Sequence, residues 1–267
     1  MKDLIDAAGL PVSLGEENRL IFRDELPPLQ PALRRLDDVR AVLADPAAAG
    51  PEVLYYMYRD VALPADQAEF LARGIRYDIT LVLPGRIGAE YVKTAGHYHP
   101  EVPGTGLTFP EVYQVISGRA HYLLQKADLP QAGRASGNGL TNVLLVECGP
   151  GDVVVVPPGY GHVTINAAGV PLVMANLVER EFTSIYEPYV RLRGGAYYGL
   201  AAEGRLDFRP NPEYGPVPPL RVINASELSG QPVRRGIPIY RQFIDDPGTF
   251  NFLMRPDAFS DWRHGGS

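Results

Sequence analysis

Four side chains near the middle of the chain are of the types that hold a divalent transition metal: His97, His99, Glu111 and His162. In Gly96-His97-Tyr98-His99-Pro100 the histidines are two residues apart. On a strand, that spacing turns both imidazoles to one face. Glu111 opens the apolar run Val112-Tyr113-Gln114-Val115-Ile116, and six residues separate it from Gly118. His162 lies in the segment from Gly151 to Asn166, which reads G-x5-P-x-G-x2-H-x3-N. Three imidazoles and one carboxylate suit Fe(II), Mn(II), Ni(II) or Zn(II), and they leave positions open on a six-coordinate ion for a substrate.

Side chains from three separate segments meet only if rigid elements bring those segments together, and the sequence supplies short strands. Its 28 glycines and 26 prolines mean many turns, which favours short strands over long helices. From Ile75 onward the apolar period is two, predicting strands near 75–83, 89–95, 111–117, 119–126, 141–147, 153–157, 161–166 and 171–179. The run Val153–Val156 does not alternate, so it is expected to be covered on both faces. Pro100–Pro110 is turn-rich and reads as a loop, as does the bridge from Asp128 to Leu140 with its three glycines.

Outside that block the reading is thinner. Ala32, Leu36, Val39 and Leu43 mark one helical stripe, predicting a helix over 32–43. A second short helix is expected over 64–71, stopped by Gly74. Ile185–Gly195 suggests a helical turn with a glycine stop. Residues 1–50 form an N-terminal arm, 51–200 the barrel domain, and the proline-rich 201–267 an arm packed on the barrel or on a partner subunit. Hydrophobic residues at 45% and charged residues at 21% are an ordinary globular balance. A net charge of -6 argues against nucleic acid as a partner. One cysteine, Cys148, fits a reducing cytoplasm. The first residues lack a signal-peptide core and no apolar run would span a bilayer, so no membrane partner is expected.

The histidine and glutamate segments resemble the two cupin motifs, and three of the five histidines fall at cupin ligand positions. Two departures stand out: Tyr91 replaces a usual glycine, and eleven residues separate His99 from Glu111. The implied fold is all-β, a cupin (jelly-roll) barrel with a few short helices and proline-rich arms. More specifically, Arg76–Thr80, Lys93-Thr94-Ala95-Gly96-His97-Tyr98-His99-Pro100, Glu111-Val112-Tyr113, Leu123-Leu124-Gln125 and Pro157–His162 resemble the cupin-type glucose-6-phosphate isomerases, over roughly residues 50 to 200. That resemblance implies one divalent metal per subunit, Fe2+ first and Mn2+, Ni2+ or Zn2+ as alternatives, on His97, His99, Glu111 and His162. It also implies a sugar phosphate substrate and a homodimer.

The same resemblance puts the substrate phosphate against Thr80, Thr94 and Gly96. Hydroxyls and a glycine N–H make a sound anion cradle. Lys93 and Tyr160 are further candidate substrate contacts, although Lys93 alternates away from Thr94 and also reads as an outward, solvated lysine. Glu111 and Tyr113 share one face and are the candidate catalytic pair. His121 reads as structural, and His264 as a solvated tail residue. In parts of the family a histidine assists ring opening after the last barrel strand; here Ser184 stands there, with Tyr186 two residues on. A cupin oxygenase or decarboxylase, or a non-enzymatic sugar-binding cupin, would use the same ligands but leave the threonines idle.

Overall fold

The computed structural model of the protein describes residues 1–127, 139–228 and 232–259. Two facing sheets enclose the centre. The larger has six antiparallel strands in the spatial order Val153–Val156, Glu111–Ser117, Leu172–Glu179, Ile75–Val82, Val53–Tyr58 and Ala32–Arg35. The smaller runs Tyr160–Ile165, Ala120–Ala127, Leu140–Cys148 and Leu220–Asn224, the last strand parallel to its neighbour.

Strand alternation divides the large sheet's side chains into two layers. Ile75, Tyr77, Ile79 and Leu81 pack on its outer face with Val112, Ile116, Val173, Ala175 and Leu177. Val115 and Met174 face the other sheet, with Tyr113 beside them. The inward row therefore takes the even residues of 75–82, the odd residues of 111–117 and the even residues of 172–179. Three inward positions on one strand are polar, Arg76, Asp78 and Thr80. This is where the apolar pattern gives way to a site.

The terminal segments cover the outer face. Leu4, Ala8, Leu10 and Val12 pack there together with Ile239, Tyr240, Phe243, Phe250 and Phe252, all but Leu4 fully buried. Each buried phenylalanine contributes about 1.5–3 kcal/mol, so a segment too rich in proline to build its own core is held by the sheet it covers. The Tyr240 hydroxyl donates to Asp66 Oδ2 at 2.6 Å and accepts from the Leu63 N–H at 3.0 Å.

The predicted strands at 75–83, 111–117, 119–126, 141–147, 153–157, 161–166 and 171–179 form within a residue or two of their expected bounds, and Val153–Val156 is buried throughout. Three expectations change. The helix over 32–43 forms only from Leu36, as the short Leu36–Val39 helix and the Arg40–Val42 turn. Ala32–Arg35 is instead an edge strand on Val53–Tyr58, because pairing across the sheet overrides a local helical period. The strand over 89–95 reduces to Glu90–Tyr91. Its remainder keeps only an isolated bridge, Lys93 to Ile165. Lastly, Val53–Tyr58 was not among the expected strands: its near-continuous apolar run, buried on both faces, carries no alternation to read. The second helix forms as Gln67–Arg73, ended by Gly74 in the left-handed region. The bridge 128–138 and His264 lie outside the described residues.

Candidate metal and substrate site

His97 and His162 meet because their backbones pair. His97 N–H donates to the His162 carbonyl at 3.3 Å, and His162 N–H to the His97 carbonyl at 3.1 Å. Such a two-residue exchange sets the side chains next to one another. Glu111 arrives from the large sheet, and His99 stands two residues beyond His97, past the Tyr98–Ile185 bridge. The four ligand atoms lie within 4.8 Å of one another. His99 Nε2 is 3.2 Å from His97 Nε2 and 3.2 Å from Glu111 Oε2, while His162 Nε2 is 3.3 Å from the same oxygen.

The protonation pattern tests whether this set fits a cation. His99 Nδ1 lies 2.8 Å from the Phe109 carbonyl. A carbonyl only accepts, so Nδ1 carries the proton and Nε2 turns a bare lone pair to the centre, the arrangement that orients a metal-binding histidine. Burial, then repulsion by His162 and His99, holds the His97 ring well below its ordinary pKa. Burial likewise takes His162 down to about 4. Both rings are neutral at pH 7 and free to ligate. Burial alone would raise Glu111, but the neighbouring His99 and His162 rings outweigh it and its pKa is lowered. Its Oε2 is buried without a hydrogen-bond donor. An ionised oxygen and three imidazole nitrogens around one point suit a divalent cation. His162 Nδ1 is buried without a partner, so this ligand lacks the support that His99 has.

Tyr113 closes the centre from the side. Its hydroxyl is 3.0 Å from His162 Nε2. Burial, reinforced by the Glu111 charge, keeps it well above the ordinary phenol range, so it remains a proton donor. The centre opens into a cavity of about 560 Å³, its open mouth included, lined by Thr80, Thr94 and Gly96 as well as His97, Glu111 and His162. Thr94 Oγ1 accepts the Thr164 N–H at 3.0 Å, which leaves the hydroxyl proton available. Gly96 is forced by its surroundings as well as by its φ. A Cβ there would stand 2.6 Å from Tyr189 Cε1 and from Val163 Cγ2.

Two candidate contacts are elsewhere. Lys93 does not line the cavity and is not solvated. It is 4% exposed, with its ammonium 2.8 Å from Glu90 Oε1 and donating at 2.7 Å to the Val42 carbonyl. A buried ammonium needs this compensation, which ties it beneath the neighbouring sheet. Tyr160 is also absent from the lining; its hydroxyl accepts from Asn142 Nδ2 at 2.9 Å. Ser184 and Tyr186 both line the cavity.

Sequence reasoning missed the cations and Tyr55. Arg34 hydrogen-bonds the hydroxyls of Tyr55 and Tyr186, and Tyr55 accepts the Ala95 N–H at 3.3 Å beside Thr94. Arg59 and Arg76 line the cavity as well. For Arg76 there was a signal: it shares period-two parity with Thr80. Arg34 sits on a strand read as helix, and Tyr55 and Arg59 sit on and just after a strand not read at all, so nothing local pointed to them.

A two-sheet jelly-roll barrel whose cluster of three histidines and one glutamate opens into a cavity defines a metal-site cupin. Within that class the chain belongs to the glucose-6-phosphate isomerase family: the family model described as "Glucose-6-phosphate isomerase (GPI)" matches residues 33–216. Among curated relatives, the glucose-6-phosphate isomerase of Thermococcus litoralis is 26% identical over 189 residues, 68% of this chain and 87% of that protein. That of Pyrococcus furiosus is 28% identical over 178 residues, 64% of this chain and 76% of the relative. Among solved structures, the Bacillus subtilis oxalate decarboxylase aligns at 20% identity and a TM-score of 0.33, covering 49% of this chain and 27% of its own. No helix among the described residues is long and apolar enough to cross a membrane.

Proposed function

We propose that the chain carries out the isomerisation its family is named for, the reversible conversion of glucose 6-phosphate and fructose 6-phosphate, with the following division of labour. The observation that carries this reading is that a single cavity is lined both by His97, Glu111 and His162 of the four-residue cluster and by Thr80, Thr94 and Gly96. His97, His99, Glu111 and His162 would hold one divalent transition ion, Fe2+ first and Mn2+, Ni2+ or Zn2+ as alternatives. Bound there, it supplies Lewis acidity toward the C1 and C2 oxygens.

The protein's own groups do the rest. The threonine hydroxyls and the Gly96 N–H take the phosphate, and Arg34, acting through Tyr55, offsets its charge. Binding energy realised at the phosphate, remote from the reacting carbons, fixes the substrate's position. Glu111 is the one carboxylate among the cavity-lining residues and accepts the proton that moves between C1 and C2, while the Tyr113 hydroxyl donates to a developing oxyanion. The lowered pKa of Glu111 makes it a weak base, so its reach matters more than its strength. Ser184 and Tyr186 border the position where ring opening would be assisted.

The same reading takes the chain as a cytoplasmic homodimer. The Ala32–Arg35 strand, which ends the large sheet, is an open edge on which a second copy could add, and light scattering tests it. The activity is tested by turnover of fructose 6-phosphate in a coupled assay, with metal-loaded protein and after chelation. Turnover that survives complete metal removal, or none with any of the four ions, would overturn the reading.

A further inference from the structure

One buried amide in the cavity wall has no protein group to hold. Asn176 lies on the Leu172–Glu179 strand, whose other inward residues are Leu172, Met174 and Val178. It is 4% exposed and lines the cavity. Among the described residues its carboxamide has no hydrogen-bond partner. The side chains of its two cross-strand neighbours, Asp78 and Tyr113, are engaged elsewhere. Asp78 accepts from Arg59, from Arg76 and from the Asp60 N–H, and the Tyr113 hydroxyl is 3.0 Å from His162 Nε2. A buried carboxamide left unpaired is costly, and an apolar side chain would fill this place without that cost. The amide suits a ligand that enters the cavity.

The sheet register says which part of the ligand the amide would meet. Thr80, in the proposed phosphate cradle, pairs with Met174. Asn176 stands one inward step along the same strand, and Glu111 one inward step beyond its partner Tyr113. Asn176 is therefore midway between the phosphate row and the ligand row. Each inward step is two residues, roughly 6.6 Å. An extended sugar phosphate advances ~1.2 Å per bond, as an extended backbone does, so about five bonds cover one step. Counted from phosphorus through the bridging oxygen, the fifth bond ends on C3, and C4 is one bond short of it. Met174 and Val178, on either side of Asn176 along the strand, offer those carbons no polar contact.

We propose that Asn176 is a specificity-determining residue, whose carboxamide hydrogen-bonds the hydroxyls on the middle carbons of the substrate, C3 and C4, and so selects their configuration. A carboxamide presents an acceptor and a donor group in one plane, which matches two neighbouring hydroxyls in one relative orientation. Inverting either carbon turns a hydroxyl away and leaves the buried amide unpaired, the situation in which a site rejects an analogue most strongly. The proposal rests on the phosphate placement given above and adds which part of the sugar the middle of the cavity reads.

The test is calorimetric, with metal-loaded protein and acyclic sugar-alcohol phosphates, which bind without turning over. Glucitol 6-phosphate carries the glucose configuration; allitol 6-phosphate inverts C3, galactitol 6-phosphate inverts C4 and mannitol 6-phosphate inverts C2. Wild-type protein binds glucitol 6-phosphate more tightly than the C3 and C4 epimers. Asn176→Leu shrinks that preference about five- to tenfold, the scale of one neutral hydrogen bond. The preference over the C2 epimer, the Kd of inorganic phosphate and the metal content stay within about twofold. Asn176→Ala repeats the measurement should leucine crowd the cavity. A preference unchanged in both variants would overturn the proposal, and so would equal weakening of all the sugar-alcohol phosphates. The phosphate is common to these ligands and cancels from the ratios. Absence of isomerase turnover would therefore sink the activity reading instead, and the ratios would still decide this one.

Discussion

Gly96 stands between the proposed phosphate cradle and the candidate metal centre, and replacing it by alanine separates two forces. Its φ of +79° lies in the left-handed region, where an L side chain costs about 1–2 kcal/mol. The new Cβ would also stand 2.6 Å from Tyr189 Cε1 and Val163 Cγ2, against 3.4 Å or more in an ordinary contact. Tyr189 is fully buried and has no room to retreat. Overpacking of this kind costs about 1–3 kcal/mol more, so the loss should total about 2–5 kcal/mol, a large share of a typical domain's stability. Gly104 is the control. It has the same φ of +79° but nothing within 4 Å of a Cβ, so Gly104→Ala should lose only the backbone part. Urea denaturation of both variants measures the difference directly. Because His97 follows Gly96, the displaced backbone should also lower the bound metal in Gly96→Ala. Equal stability losses in the two variants, with metal content unchanged, would show that the close packing around Gly96 does not constrain the site.

Four further outcomes follow from the site. His162→Ala should remove most bound metal and most activity while the barrel stays folded, read by mass spectrometry of the metal and by circular dichroism; full metal with full rate would remove it from the ligand set. Thr80→Val deletes a hydroxyl with little change of shape. It should raise KM for fructose 6-phosphate tenfold or more, from the ~1.5–3 kcal/mol of a hydrogen bond to a charged group, and an unchanged KM would return Thr80 to a plain strand residue. Isomerisation in D2O should put deuterium on the transferred carbon if Glu111 acts as a base, and Glu111→Gln that turns over normally with metal bound would leave it only the ligand role. His121 is held neutral, since burial lowers its pKa despite Glu147 nearby. The unfolded chain therefore takes up its proton first as pH falls. The advantage of wild type over His121→Gln should be complete above about pH 6.5 and shrink below it; a pH-independent difference would contradict this.

What could be read along the chain was what the chain decides locally. The two-residue spacing of His97 and His99, the parity of Glu111 with Tyr113, and the glycines and prolines around His162 are fixed within one strand or one turn, so four candidate ligands and seven strands were legible. Parity alone does not say what lies opposite. Lys93 turned away from Thr94 as its parity required, yet it met Glu90 and the Val42 carbonyl instead of water, because the segment before residue 50 folds over it. Ala32–Arg35 had a helix's spacing and became an edge strand through its pairing with Val53–Tyr58.

The chain by itself therefore determined the candidate metal ligands and the strands around them, since alternation and turn chemistry act over a few residues. Only the tertiary structure decided which cations face the centre. Arg34 and Arg76 come from two strands and Arg59 from the end of the strand between them, and the two guanidiniums meet on Asp78 only once those segments are side by side.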